Sequence, residues 1–314
     1  MAPASEPRPR VLFVGGYGRS GSTVLDGLLD RVPGITAVGE FRHLFGRALH
    51  DNELCSCGTP FNDCAYWSTV LAKAFPSGFD RARIHEAVRA VNRVVATPRV
   101  LYPSLRTREM REHCRIYAEA FVAAYRAVGE VSGASVVVDS SKYPLHGLFL
   151  STVPDVDLVA MLLVRDPRAV AYSWTRHKLR TEVHWKEQEM PRHGVTRSAL
   201  AFNLSNWLTE RLRGRGVELR EQRYEDLVAD PLPTVAAIAS FALGHDVDIT
   251  DAVFDAASEP SRHTIAGNPV KLEGGRIELR ADDTWKTALS RGKQTLVRVL
   301  CAPQMHHFGY RGHA

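Results

Sequence analysis

The chain has 314 residues, 45% of them hydrophobic and 24% charged, with 40 Lys and Arg against 35 Asp and Glu for a net charge of +5. This is ordinary for a soluble globular enzyme and enough to bury a substantial core. Basic residues are scattered rather than massed, so the charge suits an anionic ligand and does not point to nucleic acid; five cysteines, an odd number, do not make a secreted disulfide framework.

Residues 1–10, with Pro3, Pro7, Pro9 and three charged residues, read as a short flexible tail without an apolar signal core. No run approaches the ~18 apolar residues of a membrane span, so a cytoplasmic protein is expected. Residues 11–14 then form a buried strand, the glycines after it a tight turn, and Ser22 to Leu29 an amphipathic helix. The loop between them nearly spells a P-loop: Gly16 and Gly21 have the right spacing and Thr23 the hydroxyl position, but Ser22 stands where the lysine belongs. That substitution argues against a P-loop kinase or NTPase. The positive charge lies instead at Arg19, and backbone N–H groups at the helix start still favour an oxyanion. A Gly/Ser-rich turn before an ordinary helix is the plain alternative.

Residues 35–38 are short enough for a second strand, which delivers Glu40 at its end. In an open parallel sheet ligands bind beyond the carboxyl ends of strands, so Glu40 can share a rim with Arg19 and act as a general base, or be a surface glutamate. Cys55, Cys57 and Cys64, with His50 nearby, invite a zinc reading. C-x-C is not the usual knuckle and no second pair completes it, so a loop packed by Phe61 and Trp67 with free or locally paired thiols fits better. Helical periodicity at 80–96 and 108–128 makes 41–130 a loop and helical insertion. Residues 135–139 form another strand, followed at once by Ser140, Ser141 and Lys142; Pro144 opens a helix to about 151. The apolar run 157–164 leads into Arg165, with Asp166 as N-cap, Pro167 as the first helical residue and Ser173 further along that helix.

Two motifs now combine. Gly18-Arg19-Ser20-Gly21-Ser22-Thr23 resembles the 5′-phosphosulfate loop of sulfotransferases that use 3′-phosphoadenosine 5′-phosphosulfate (PAPS). Residues 163–173 resemble that family's 3′-phosphate motif, with Arg165 and Ser173 eight residues apart. After a helix over 196–213 and a strand over 216–221, Tyr224-Glu225-Asp226 is similar to a family segment whose tyrosine lies near adenine; from the residues alone it is a core or helix-entry aromatic. The 262–271, 277–280 and 283–285 stretches resemble the loop that many bacterial members fold over the cofactor.

The resemblance implies an α/β fold, a central parallel sheet flanked by helices in the P-loop NTPase-like sulfotransferase manner, in a single domain over 1–314. It implies a cytoplasmic bacterial enzyme that moves a sulfuryl group from PAPS, as co-substrate, to a small-molecule, lipid or carbohydrate hydroxyl. No metal is required where protein cations neutralise the oxygens. Arg19 and Glu40, 21 residues apart, match the tyrosylprotein and related bacterial branch rather than the cytosolic Lys/His pattern. The implied catalytic residues are Glu40 as base, with Arg19 and Lys142 on the transferring group. The donor contacts are Gly18, Arg19, Ser20, Gly21, Ser22 and Thr23, with Arg165, Ser173 and Tyr224. His43, His50, His85 and His113 are rival bases. A nucleotide-binding protein that transfers nothing is the other alternative.

Overall fold

The computed structural model describes residues 7–255, 263–267, 277 and 279–310. Five strands, β1 (Arg10–Gly15), β2 (Ile35–Gly39), β3 (Val136–Asp139), β4 (Asp157–Val164) and β5 (Leu219–Arg223), form one sheet in the order β2-β3-β1-β4-β5, every neighbouring pair parallel. β1 is central, between β3 and β4, and the two are near-continuous aliphatic runs because both sheet faces are covered. Val11 packs under the inserted helices, while Leu12 and Val14 face the opposite core with Leu25, Leu28 and Ile238. Arg10 already belongs to the sheet rather than to a tail: its guanidinium pairs with Asp157 at 2.7 Å and donates to the Ala242 carbonyl at 2.7 Å.

Thirteen α-helices among the described residues connect and cover the strands. α1 (Ser22–Leu29) follows β1; α2 (Ala65–Ala74), α3 (Arg81–Val91), α4 (Thr97–Leu101) and α5 (Arg108–Ser132) lie between β2 and β3. α6 (Pro144–Leu150) joins β3 to β4; α7 (Pro167–Thr175) and α8 (Val195–Glu210) lead to β5. α9 (Tyr224–Ala229), α10 (Pro231–Leu243), α11 (Trp285–Ala288), α12 (Arg291–Leu300) and α13 (Ala302–His307) complete the chain. No described helix is long and apolar enough to cross a membrane.

The inserted helices close over an aromatic core. Phe41, just after β2, lies 4.6 Å from Tyr125 and 5.9 Å from Phe121, and Phe61 stacks on Trp67 at 5.3 Å, all ring centroid to centroid. α5 begins where the Thr107 hydroxyl accepts from the Met110 N–H at 3.1 Å, and ends at Gly133 with φ 68°. Several expected boundaries shift: the helix expected over 80–96 ends at Val91 and the one over 196–213 at Glu210. Residues 55–67 are not all loop, since Cys64 ends a turn and α2 begins at Ala65. The last strand starts three residues later than its apolar pattern suggested, because Gly216 (φ 79°) closes a 3₁₀ turn and Val217 is drawn into the core beside Leu212.

Candidate active site

The loop after β1 owes its path to two glycines. Gly16 has φ 113°, and a Cβ there would lie 2.5 Å from the Leu163 carbonyl oxygen. Gly21 has φ 94°, and its missing Cβ leaves the space taken by the Tyr224 ring, 2.2 Å from where that atom would be. Tyr224 is thereby laid against the loop, and its hydroxyl donates to the Arg280 carbonyl at 3.2 Å. α1 starts at Ser22 without a side-chain cap, so N–H groups of its first turn face the strand ends. The Ser20 hydroxyl is turned inward, donating to the Tyr17 carbonyl at 2.7 Å. Arg19 is one of four non-glycine residues at positive φ (75°) among the described residues; Lys142 (54°) is another. Such backbone is costly for side-chain-bearing residues and is held where surrounding structure over-determines it.

Glu40 is fixed from three sides. Its N–H donates to the Ile265 carbonyl at 3.0 Å, the Phe41 N–H to Asp139 Oδ1 at 3.2 Å and the Arg42 N–H to Ser141 Oγ at 3.0 Å. Asp139 in turn accepts from the Tyr125 hydroxyl at 2.5 Å and pairs with His146 Nε2 at 3.0 Å, a buried polar group satisfied within the core. Lys142 Nζ bridges the strand ends, donating to Ser22 Oγ at 2.7 Å and standing 3.1 Å from Glu40 Oε1. Burial alone would raise the Glu40 carboxyl, but Lys142, with Arg47 and Arg42, outweighs it and holds the group at about 2. His43 Nε2 is 3.5 Å from Glu40 Oε2; burial, then Arg42 and Arg47, push its imidazole well below the usual range, so it is neutral. Beneath Lys142, Asp26 accepts from Ser140 Oγ at 2.5 Å, and burial pushes it up to about 7.

Ser22, Glu40, Arg42, His43, Arg47 and Lys142 line a cleft of about 480 Å³ that also receives Gly18, Arg19, Gly21, Thr23, Arg165, Ser173 and Tyr224. Every residue expected at the site except the inward-turned Ser20 therefore faces one space. Of the four rival histidines, only His43 lines it; His50 and His85 stack on each other, ring centroids 4.2 Å apart. The Arg165 guanidinium lies 5.0 Å from the Tyr224 ring centroid, and Arg19 lies 5.0 Å from that of Trp174 while donating to Met190 Sδ at 2.9 Å. Arg165, Tyr224 and Asp282 also wall a second hollow of about 830 Å³, floored by Trp285 with Arg168 over its ring.

Five cleft cations escaped sequence reasoning: Arg42, Arg47, Arg176, Lys178 and Arg180. With Arg19, Lys142 and Arg165 they make eight Lys or Arg side chains against Glu40 and Asp282. Arg47 and Arg180 are held in a buried four-charge cluster. Arg47 reaches Glu53 at 2.9 Å and Glu182 at 2.7 Å, while Arg180 reaches Glu182 at 3.2 Å and pairs with Glu53. The 178–190 segment thus folds back over the rim, Met190 N–H donating to the Lys178 carbonyl at 2.8 Å. Nothing local in sequence marks these pairs, whose members lie up to 135 residues apart. The cysteines also find an unexpected neighbour: His263, rather than His50, joins Cys55, Cys57 and Cys64. Of the stretch expected to fold over a cofactor, Arg262, 268–276 and Glu278 lie outside the described residues, whereas Thr264, Ala266 and Gly267 line a small hollow with Thr23, Asp26, Glu40 and Lys142.

Residues 9–248 match the profile of the Sulfotransferase family. A comparison with curated proteins finds no match. Among solved structures, the sulfotransferase domain of the Synechococcus PCC 7002 olefin synthase is similar at 20% identity, covering 95% of this chain and 97% of that one, with a TM-score of 0.49. A sulfotransferase from Mycobacterium avium is similar at 14% identity, over 96% and 78% of the two chains, with a TM-score of 0.47. Retinol dehydratase, solved with androsterone and the inactive cofactor PAP, is similar at 13% identity over 96% and 82%, with a TM-score of 0.41.

Proposed function

The chain belongs to the sulfotransferase family, and from that premise we propose that it transfers the sulfuryl group of PAPS to a hydroxyl of a small-molecule, lipid or carbohydrate acceptor. The observation that carries this reading is the meeting, in one cationic cleft, of an anion-binding loop, an arginine and serine beyond β4, and a carboxylate paired with a lysine. The start of α1, with Ser22 and Thr23, receives the 5′-phosphate of the donor through first-turn N–H groups and hydroxyls. Arg165 and Ser173 bind the 3′-phosphate, and the Tyr224 ring borders the adenosine between them.

In the transfer, the acceptor oxygen attacks sulfur in line, the bond from sulfur to the bridging phosphate oxygen breaks, and the acceptor proton passes to Glu40. Positioning and charge neutralisation supply most of the catalysis. Lys142 now divides its hydrogens between Ser22 and Glu40. An arriving sulfuryl group competes for that ammonium, and each contact it takes from Glu40 raises the carboxylate's basicity toward its ordinary value. Arg19, parked against Trp174 and Met190, reaches the same oxygens from the other side. The rim from 41–49 and 176–191 meets the acceptor.

The test is to incubate the protein with sulfur-labelled PAPS and an extract of its own cells and identify the labelled product. A labelled hydroxyl compound that fails to form with Glu40→Gln supports the reading. Binding of PAP with no label transferred to any component would contradict it and indicate a nucleotide-binding protein without transferase activity.

A further inference from the structure

Away from the cleft, the 54–60 turn of the insertion meets the 263–267 segment. The turn is tight: the Cys55 N–H donates to the Thr59 carbonyl at 2.9 Å, the Gly58 N–H to the Cys55 carbonyl at 2.9 Å, and Gly58 takes φ 82°. It gathers Cys55, Cys57 and, from the start of α2, Cys64. The opposite segment adds His263, and the four ligand atoms all lie within 4.8 Å of one another. Cys57 Sγ is 3.7 Å from Cys64 Sγ, while His263 Nδ1 is 3.3 Å from Cys64 Sγ and 3.6 Å from Cys55 Sγ.

Those three separations match edges of a tetrahedron around zinc. Zn–S bonds of about 2.3 Å and Zn–N bonds of about 2.0 Å at tetrahedral angles place sulfurs about 3.8 Å apart and sulfur and nitrogen about 3.5 Å apart. Three thiols and an imidazole make a soft, closed donor set of the structural type, unlike the oxygen-rich sets of magnesium or calcium. The His263 ring is oriented by stacking on Tyr66, centroids 4.4 Å apart and planes 4° from parallel.

We propose that Cys55, Cys57, Cys64 and His263 bind one zinc(II) ion, which staples the inserted turn to the 263–267 segment. Binding releases the thiol protons to solvent and involves no redox step. The staple has a consequence at the cleft. Ile265 N–H donates to the Val38 carbonyl at 2.9 Å and its own carbonyl accepts from the Glu40 N–H, so the metal locks the strand that holds Glu40. A methyl built on Gly267 would come within 3.7 Å of Thr23 Oγ1, which places the same segment against the donor loop. Ser56 and Thr264 reinforce the junction, the Thr264 N–H donating to Ser56 Oγ at 2.8 Å.

The experiment reads metal rather than turnover, so its failure is distinct from failure of the transferase reading. The full chain, purified in reductant without chelator, should carry one zinc per chain by elemental analysis. Cobalt(II) exchanged into it should show the ligand-field and thiolate charge-transfer bands of a tetrahedral sulfur-rich site. Cys57→Ser removes an exposed ligand with little risk to the core. It and His263→Gln should each weaken zinc in a chelator competition by more than the roughly 10–100-fold typical of an outer-shell change, whereas Cys301→Ala should leave affinity unchanged. Wild-type protein without zinc and without those cobalt bands overturns the proposal. So does an intact mass two hydrogens short that localises a Cys57–Cys64 disulfide.

Discussion

The two walls of the cleft are built differently. One wall, which we propose holds the donor and call the donor wall, rises from strand ends: the loop 16–21 after β1, Lys142 after β3, Arg165 after β4 and Tyr224 after β5 are each set by the sheet directly beneath. The other, which we propose meets the acceptor and call the acceptor wall, is carried by Arg47, Glu53, Arg180 and Glu182, charges that pair in a largely buried cluster, with the Glu182 side chain 0% exposed. A sheet supplies backbone geometry cheaply, whereas buried charges hold a loop only while every partner is present. The donor wall should therefore tolerate loss of a side chain with local consequences, and the acceptor wall should not.

Five substitutions would sharpen or break that contrast. Glu40→Gln should lower kcat by roughly 10²–10⁴-fold, with PAP still bound. His43→Ala should cost far less, and the reverse ranking in steady-state kinetics would make His43 the base. Glu182→Gln, which leaves two arginines sharing the single carboxylate of Glu53, should destabilise the fold by about 3–5 kcal/mol in urea titration; wild-type stability would mean that the rim is held otherwise.

Asp26 gives the donor wall a pH-dependent weakness. Because burial raises this carboxyl in the folded state, the fold binds its proton more tightly than the unfolded chain does. The associated stability is complete below 3.8 and is lost as pH climbs through about 7. Asp26→Asn should remove about 2–4 kcal/mol of that decline, and an unchanged pH profile of thermal unfolding would contradict the assignment. Arg165→Ala should weaken PAP by roughly 10–100-fold, as for a lost charge-assisted contact, and leave AMP nearly unaffected in equilibrium binding.

What was legible in the sequence follows the same division. The run 157–164 announced β4 to the residue, and Asp166-Pro167 announced α7, whose N-cap accepts from Arg168 N–H as expected. Gly16, Gly21 and Arg19 were readable because strand, turn and helix are local, and Glu40 because it ends a strand. Arg180 and Glu53 carry no such signal: their pairing spans 127 residues and arises only when the insertion closes. His263 likewise sits 199 residues beyond Cys64, so a three-cysteine cluster looked incomplete. Tyr224 was ambiguous between core and cleft for a physical reason, since it is both: 7% exposed, packed on Gly21 and facing Arg165.

The central claim is that the loop at α1 and the Arg165–Ser173 pair grip opposite ends of one doubly phosphorylated adenosine. Titration calorimetry of the wild-type protein with PAP and with AMP tests it most directly. PAP should bind about 10–100-fold more tightly, the difference carried by the 3′-phosphate. Equal affinities for the two nucleotides would contradict the account.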